Sequence, residues 1–310
     1  SLNDAKLEDV TDEYVKTYDI EILNSKIKKT ASFAYLSVFN NETWVPIAWG
    51  NNNSKNSLIK YEKVGCGSVY LPSFINDYGD EYIDHPFILR EDGRIETKVP
   101  DKENLISLKL FRKYPLLPWI RSLITRVNGG IMQVANKEDF SDAITIYKVE
   151  NVEENEYYKE IDLALNKKYQ YFRYLCPLKS HGNIAEMEFY EEKEQIKGLI
   201  LGTNGYYPGY PEKTKDKVFD GDPLTYFDAA NPNDNWIGMK FNEPKQITKI
   251  RFLPRVAYNI IIPGDKYELF YWNDKWISLG IQNATSQVLS YLDVPSNALY
   301  LLRNHSRGKE

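Results

Sequence analysis

The sequence predicts an all-β protein, and three observations carry that reading. Aromatic residues make up 14% of the 310, with 24 Tyr, 13 Phe and 6 Trp, side chains that suit a pleated, half-buried surface. Thr248, Ile250 and Phe252 alternate with Lys249 and Arg251, the period of a strand with one wet face. The 17 Gly and 15 Pro are spread along the chain, cutting it into short segments joined by turns. A chain of this length predicts two or three domains, and hydrophobic residues at 42% supply ample core.

Taken in order, residues 1–16 carry Leu2, Leu7, Val10 and Tyr14 at loosely helical spacing and predict a short helix or a disordered lead-in. From about Tyr18 the rhythm is that of strands. Ala34, Leu36 and Val38 share one face, Asn40 and Asn41 make a turn, and TWVPIAW forms a strand whose Pro46 favours a sheet edge. FILR and RIETKV flank Glu91-Asp92-Gly93, a three-residue hairpin loop with Gly placed for a positive φ. Residues 1–103 are thus expected to be an N-terminal β-sandwich. Val99-Pro100-Asp101-Lys102 punctuates the chain, and a second β region is expected over 104–195. The charged run EEKEQIK at 191–197 marks a boundary, after which 196–310 is a third domain. In it, Asn273-Asp274 between YELFYW and KWISLG is a two-residue hairpin signal.

Several function classes are disfavoured by composition. The net charge is -5 and the pI about 5.5, with Lys and Arg scattered, which argues against nucleic acid as a partner. No run of about 18 apolar residues occurs, so no membrane span is expected. The three histidines, His85, His181 and His305, are far apart, and no C-x-x-C or H-x-x-x-H spacing predicts zinc. Cys66 and Cys176 are expected to be free and buried, and Cys176 with His181 lacks the surroundings of a thiol enzyme. Glu186 and Glu188 sit two apart on one strand face; a glycosidase pair would have to face across a cleft.

Two stretches carry candidate chemistry. In FDGDPLT, Asp220, Asp222, Thr225 and neighbouring carbonyls supply the oxygen ligands calcium takes, and Gly221 lets the backbone fold tightly around them. An ordinary Asp/Gly turn is the alternative reading. In NGYYPGYP, Tyr206, Tyr207 and Tyr210 stand among Gly and Pro, where rings are held out of a core. Sugars stack their C–H faces on such rings and take hydrogen bonds from polar neighbours. Arg255, Tyr258 and Asn259, with Asn304, His305 and Arg307, are the polar candidates. Trp236 is expected in the core.

VFDGDPLTYFD, then W-x-G-x-x-F, ITKIRFLPR, YELFYW, W-x-S-L-G and VPSNALYLLRN together resemble the discoidin-like (coagulation-factor type C) family over about 197–310. YQYFRYLCPLKSHGNIAEMEFY, within 104–195, is similar to the second half of the same pattern. The resemblance implies a galactose-binding-like jelly roll, a structural calcium at the acidic turn with Glu310 nearby, and sugar-binding loops at one end of the sandwich. The family's pattern also expects a closing strand after the last matched segment. The reading is therefore a non-catalytic, carbohydrate-binding accessory region of a secreted, periplasmic or cell-surface bacterial protein. It resembles the tail of proteins with an upstream transglutaminase-like domain, and the chain, opening at Ser1, is expected to be a trimmed fragment. A glycan-processing enzyme with jelly-roll domains, glycosidase or glycan amidase, and a structural protein-interaction module are the competing classes.

Overall fold

A computed structural model describes residues 15–23, 33–40, 42–50, 58–76, 78–113, 116, 118–152, 158–256 and 258–308; the predicted lead-in helix lies almost wholly outside them, as does Glu310. The chain is all-β, with antiparallel sheets and, among the described residues, one short α-helix. Its strands begin with β1 (Thr17–Leu23), β2 (Phe33–Asn40), β3 (Thr43–Gly50), β4 (Leu58–Gly65), β5 (Val69–Ile75), β6 (Glu81–Ile83), β7 (Phe87–Leu89), β8 (Ile95–Thr97) and β9 (Asp101–Leu110). After α1 (Pro118–Ile124) come β10 (Ile131–Ala135), β11 (Ile144–Lys148), β12 (Lys159–Asp162), β13 (Tyr169–Leu175), β14 (Gly182–Glu191), β15 (Glu194–Ile196), β16 (Gly198–Gly202), β17 (Phe227–Asp228), β18 (Trp236–Lys245) and β19 (Lys249–Pro254). The last four are β20 (Lys266–Trp272), β21 (Trp276–Asn283), β22 (Leu289–Ser296) and β23 (Tyr300–Asn304).

These elements form two compact units, one of residues 1–109, 266–283 and 290–309, the other of 110–265 and 284–289 with residue 310. The first contains the expected N-terminal sandwich. Its main sheet runs β3-β2-β5-β7-β8, with Pro46 on the edge strand as predicted. The β1–β4 ribbon packs Ile20, Ile22, Ile59 and Tyr61 against Ala34, Leu36, Phe74 and Phe87 of that sheet. Gly93 has φ 82° in the three-residue loop, closed by Arg90 N–H donating to Arg94 O at 3.0 Å. The same unit takes in the β21-β20-β23 meander, where Trp44 meets Trp272 at 5.3 Å and Arg303 pairs with Glu42 at 3.1 Å.

The second unit is a β-sandwich of two sheets, β11-β10-β13-β18-β16 and β12-β19-β14-β15, with β17 added to β14. Alternation explains its core. Phe172 and Tyr174 of β13, and Ile237, Met239 and Phe241 of β18, point inward while Arg173 and Lys240 do not. They meet Phe189 of β14 and Ile250 and Phe252 of β19, with Phe172 and Phe189 centroids 4.4 Å apart. Each such ring contributes about 2 to 3 kcal/mol by leaving water. Helix α1 adds Ile120, Ile124 and, one turn on, Val127 to the same core, the spacing of one helix face. Gly238 lets β13 and β18 approach: a Cβ there would lie 2.2 Å from Phe172 O.

The three-part division is corrected by this arrangement. Residues 110–195 and 196–265 do not form separate domains, because β16 and β18 pair in one sheet with β10 and β13, and β19 pairs with both β12 and β14. The 191–197 run is no linker. It is a hairpin in which Glu191 pairs with Glu194, turned through Glu192 at φ 55°. The segment expected as a closing half, ending in β14, precedes in sequence the segment expected as an opening half, yet both build one sandwich. Residues 266–283 and 290–309, assigned to the third domain, belong to the other unit. The β20–β21 loop spans Asn273, Asp274 and Lys275, three residues rather than two, with Asp274 at φ 61°.

Candidate functional site

The loop after β16 is fixed by backbone pairing. Tyr207 N–H donates to Asp228 O at 2.7 Å, Asp228 N–H to Lys213 O at 3.2 Å, and Tyr210 and Lys213 close successive turns. Gly205 and Gly209, at φ 98° and 87°, make the reversals that only glycine adopts without strain. The result holds Tyr206, Tyr207 and Tyr210 at 44%, 40% and 47% exposure, and Tyr258, at φ 63° in the loop after β19, at 51%. Large rings left this open in a set are uncommon away from binding surfaces.

Beneath them lies a polar floor. Tyr226 belongs to a small buried cluster with Ala185, Leu253 and Val256. The Lys213 ammonium stands 3.5 Å from the Tyr210 ring centroid and 4.9 Å from that of Tyr226, although Lys213 is only 8% exposed. The Arg255 guanidinium covers Tyr226 at 4.1 Å, and its Nη1 bonds Asp228 Oδ2 at 3.0 Å. Asn183 donates its side-chain amide to Asp228 Oδ1. Burial raises the Asp228 carboxyl, against Arg255, Asn183, Lys213 and His181, which favour its charged form. His181 Nδ1 lies 2.9 Å from Ala229 O, so Nδ1 carries the proton, and its ring meets Tyr207 edge-on at 5.0 Å. Burial also raises the Tyr258 hydroxyl, which lies in the electrostatic reach of Tyr226, Lys213, Glu212 and Arg255.

The predicted site residues divide accordingly. Tyr206, Tyr207, Tyr210, Arg255 and Tyr258 fall within the second unit, but Arg255 is committed to Asp228 rather than held out for a ligand. Asn304 and Arg307 belong to the first unit. Asn304 Oδ1 accepts from Ser306 N–H and Arg307 N–H at 2.9 and 3.2 Å, which makes it a turn former. Asn259 Oδ1 accepts from Lys113 N–H, and His305 bonds Glu268. Lys213, Tyr226, Asp228, Asn183 and His181 were not singled out as a sugar site from the sequence.

At the acidic turn, Asp222 Oδ1 accepts from Leu224 N–H at 3.0 Å. Asp220 accepts from Asp222 N–H, and Lys217 Nζ reaches its Oδ2 at 3.0 Å. Thr225 Oγ1 lies 3.0 Å from both Asp220 oxygens, 3.1 Å from Asp222 O and 3.3 Å from Lys217 O. One hydroxyl hydrogen serves one acceptor, so three of these four oxygens face Thr225 Oγ1 without a proton between them and it, although both Asp220 oxygens and Asp222 O have other donors. Glu186, 1% exposed, adds a buried Oε1 with no hydrogen-bond partner. Burial, then the neighbouring Asp220, pushes its carboxyl up to about 9. Glu186 and Asp220 line a cleft of about 240 Å³ with Glu188 and Phe219. Among the described residues no group of three or more His, Cys, Asp and Glu is arranged for a metal. A cation here would be held by two carboxylates, the Thr225 hydroxyl and the carbonyls of Lys217 and Asp222. That all-oxygen set fits calcium rather than zinc.

Glu188 is occupied by Arg251 at 2.8 Å. Both cysteines are free; Cys176 is pushed up to about 12 by burial, the behaviour of an inert thiol. Among the described residues no helix is long and apolar enough to cross a membrane. No family model, curated protein or solved structure matches the chain, so the functional reading is carried by these side chains.

Proposed function

We propose that the unit built mainly from residues 110–265 is a non-catalytic carbohydrate-binding module of discoidin-like type, steadied by a calcium ion at Asp220, Thr225 and Glu186, and working as the accessory part of a secreted or surface protein. The observation that carries it is the group of half-exposed tyrosines standing over fixed polar donors. Aromatic faces supply the stacking a sugar ring needs, while Lys213 Nζ, His181 Nε2 and the tyrosine hydroxyls supply hydrogen bonds. Rings held on a loop stitched to β17 lose little entropy on binding. The tyrosine exposures support this reading over a purely structural module, for which buried rings are expected. When bound, calcium supplies charge that neutralises the Glu186 and Asp220 carboxylates; the protein supplies the oxygens and the cleft.

Each stacked ring contributes about 1 kcal/mol, by analogy with aromatic pairs, so single-site affinity is on the order of millimolar, or roughly -4 kcal/mol. A glycan array followed by titration of the intact chain tests the reading. Tyr207→Ala with Tyr258→Ala is expected to abolish binding while the unfolding midpoint holds. An array without signal, or a double variant that binds as the wild type does, refutes it.

A further inference from the structure

Resting on that reading, we infer that the sugar recognised at the tyrosine surface carries an anionic group, with the Lys213 ammonium as its anchor. Lysine is almost never buried without a charged partner, yet Lys213 is 8% exposed and its ammonium is met by the faces of Tyr210 and Tyr226, with no acceptor for its N–H groups among the described residues. Asp228, the buried carboxylate in its field, already takes the Arg255 guanidinium and the Asn183 amide. The floor therefore holds two cations, Lys213 and Arg255, over one buried anion. Glu212 is exposed and acts on Tyr226 and Tyr258. Ring faces attract the ammonium but leave its three hydrogens without a strong acceptor. An anionic substituent on a sugar stacked against the half-exposed rings completes that set with a charge-assisted hydrogen bond, about twice as strong as a neutral one. A neutral sugar leaves the surplus charge in place.

The test uses the whole chain and three sugars on one scaffold: galactose, galacturonic acid and galactose 6-sulfate, titrated by ligand-observed NMR at low salt. Both acidic sugars are expected to bind at least about tenfold more tightly than galactose, a preference that shrinks as ionic strength rises. If only one acidic sugar shows it, the source of the charge, carboxylate or sulfate, is identified and the inference stands. Lys213→Met, which keeps the buried stem and removes the charge, should level the three sugars to within about threefold. Lys213→Arg should keep the preference, and serves if the Met variant does not fold. Equal binding of all three sugars by wild type overturns the inference while leaving carbohydrate binding intact, as does an acidic preference that survives in folded Lys213→Met. No binding of any of them overturns both.

Discussion

Replacing Glu186 by Gln separates the proton on this side chain from the cation proposed beside it. Glu186 is 1% exposed, and burial with Asp220 nearby lifts its carboxyl from the usual carboxylate range to about 9. A carboxyl whose folded pKa lies above its unfolded one binds more protons in the native state. Its stabilisation is therefore full below about pH 4.5 and is lost as pH rises towards 9. One proton gives a slope of about 1.4 kcal/mol per pH unit, so from pH 5 to pH 8 the ceiling is about 4 kcal/mol. Asp220, held below its ordinary value by the Asp222 N–H, Lys217, Glu186 and Thr225 in spite of its burial, acts in the opposite sense and only below about pH 4. Asp228, raised by burial, acts in the same direction as Glu186, so the comparison has to be with a variant of Glu186 alone. Gln has the shape of the protonated acid and cannot titrate. Hydrogen exchange of peptides from β14 and β18, corrected for the intrinsic rate, reads the opening free energy of this sandwich without a two-state assumption for the whole chain. In chelator the wild type should lose protection from pH 5 to 8, while Glu186→Gln loses up to about 4 kcal/mol less. Millimolar calcium should restore protection to the wild type at pH 8 and give the variant little. Equal pH slopes in chelator for the two proteins would refute the argument.

Other perturbations probe the rest of the same sandwich. Calcium at about 100 times its dissociation constant should stabilise the wild type by about 2.7 kcal/mol, and Thr225→Val should remove most of that gain; a melting temperature indifferent to chelator leaves the acidic turn a turn only. Arg255→Met strips Asp228 of its buried cation and should cost about 3 to 5 kcal/mol in denaturant unfolding at neutral pH, less in acid, where Asp228 is neutral. Gly238→Ala puts a Cβ 2.2 Å from Phe172 O and should cost about 1 to 3 kcal/mol by forcing β13 and β18 apart, seen as faster exchange of their amides.

Local pattern was legible wherever one face of a strand is buried. Ala34 and Leu36, the Ile250 and Phe252 alternation, the edge position of Pro46 and the left-handed Gly93 all follow from neighbours within a few residues. Partnership between distant strands was not, because pairing of β14 with β19 joins residues about 60 apart. A run of charge such as EEKEQIK looks the same in a linker as in an edge hairpin whose side chains face water. The same distinction governs the site. Half-exposed tyrosines among Gly and Pro can be read directly, since exposure follows from the loop. Lys213 cannot: in PEKTK it looks like any solvated lysine, and its burial depends on Tyr226 and Asp228 arriving from the far side of the acidic turn.

Glu186 shows how a local rule fails where the chemistry is concentrated. Strict alternation places Glu186 and Glu188 together on one face of β14, where both would be solvated. A register shift between Ile184 and Glu186 lets Ile184 and Met187, three residues apart, both enter the core. The two glutamates still share one face and line one cleft, but their partners differ: Glu188 finds Arg251 of β19, while Glu186 finds the Asp220 turn. Leaving a carboxyl oxygen buried without a partner costs free energy comparable to a lost hydrogen bond, and replacing Glu186 by an apolar residue would avoid that cost. With its carboxyl pushed up to about 9 by burial and by Asp220, Glu186 holds a proton at neutral pH, and the calcium proposed above would have to displace that proton to bind, which is what the Glu186→Gln comparison reads.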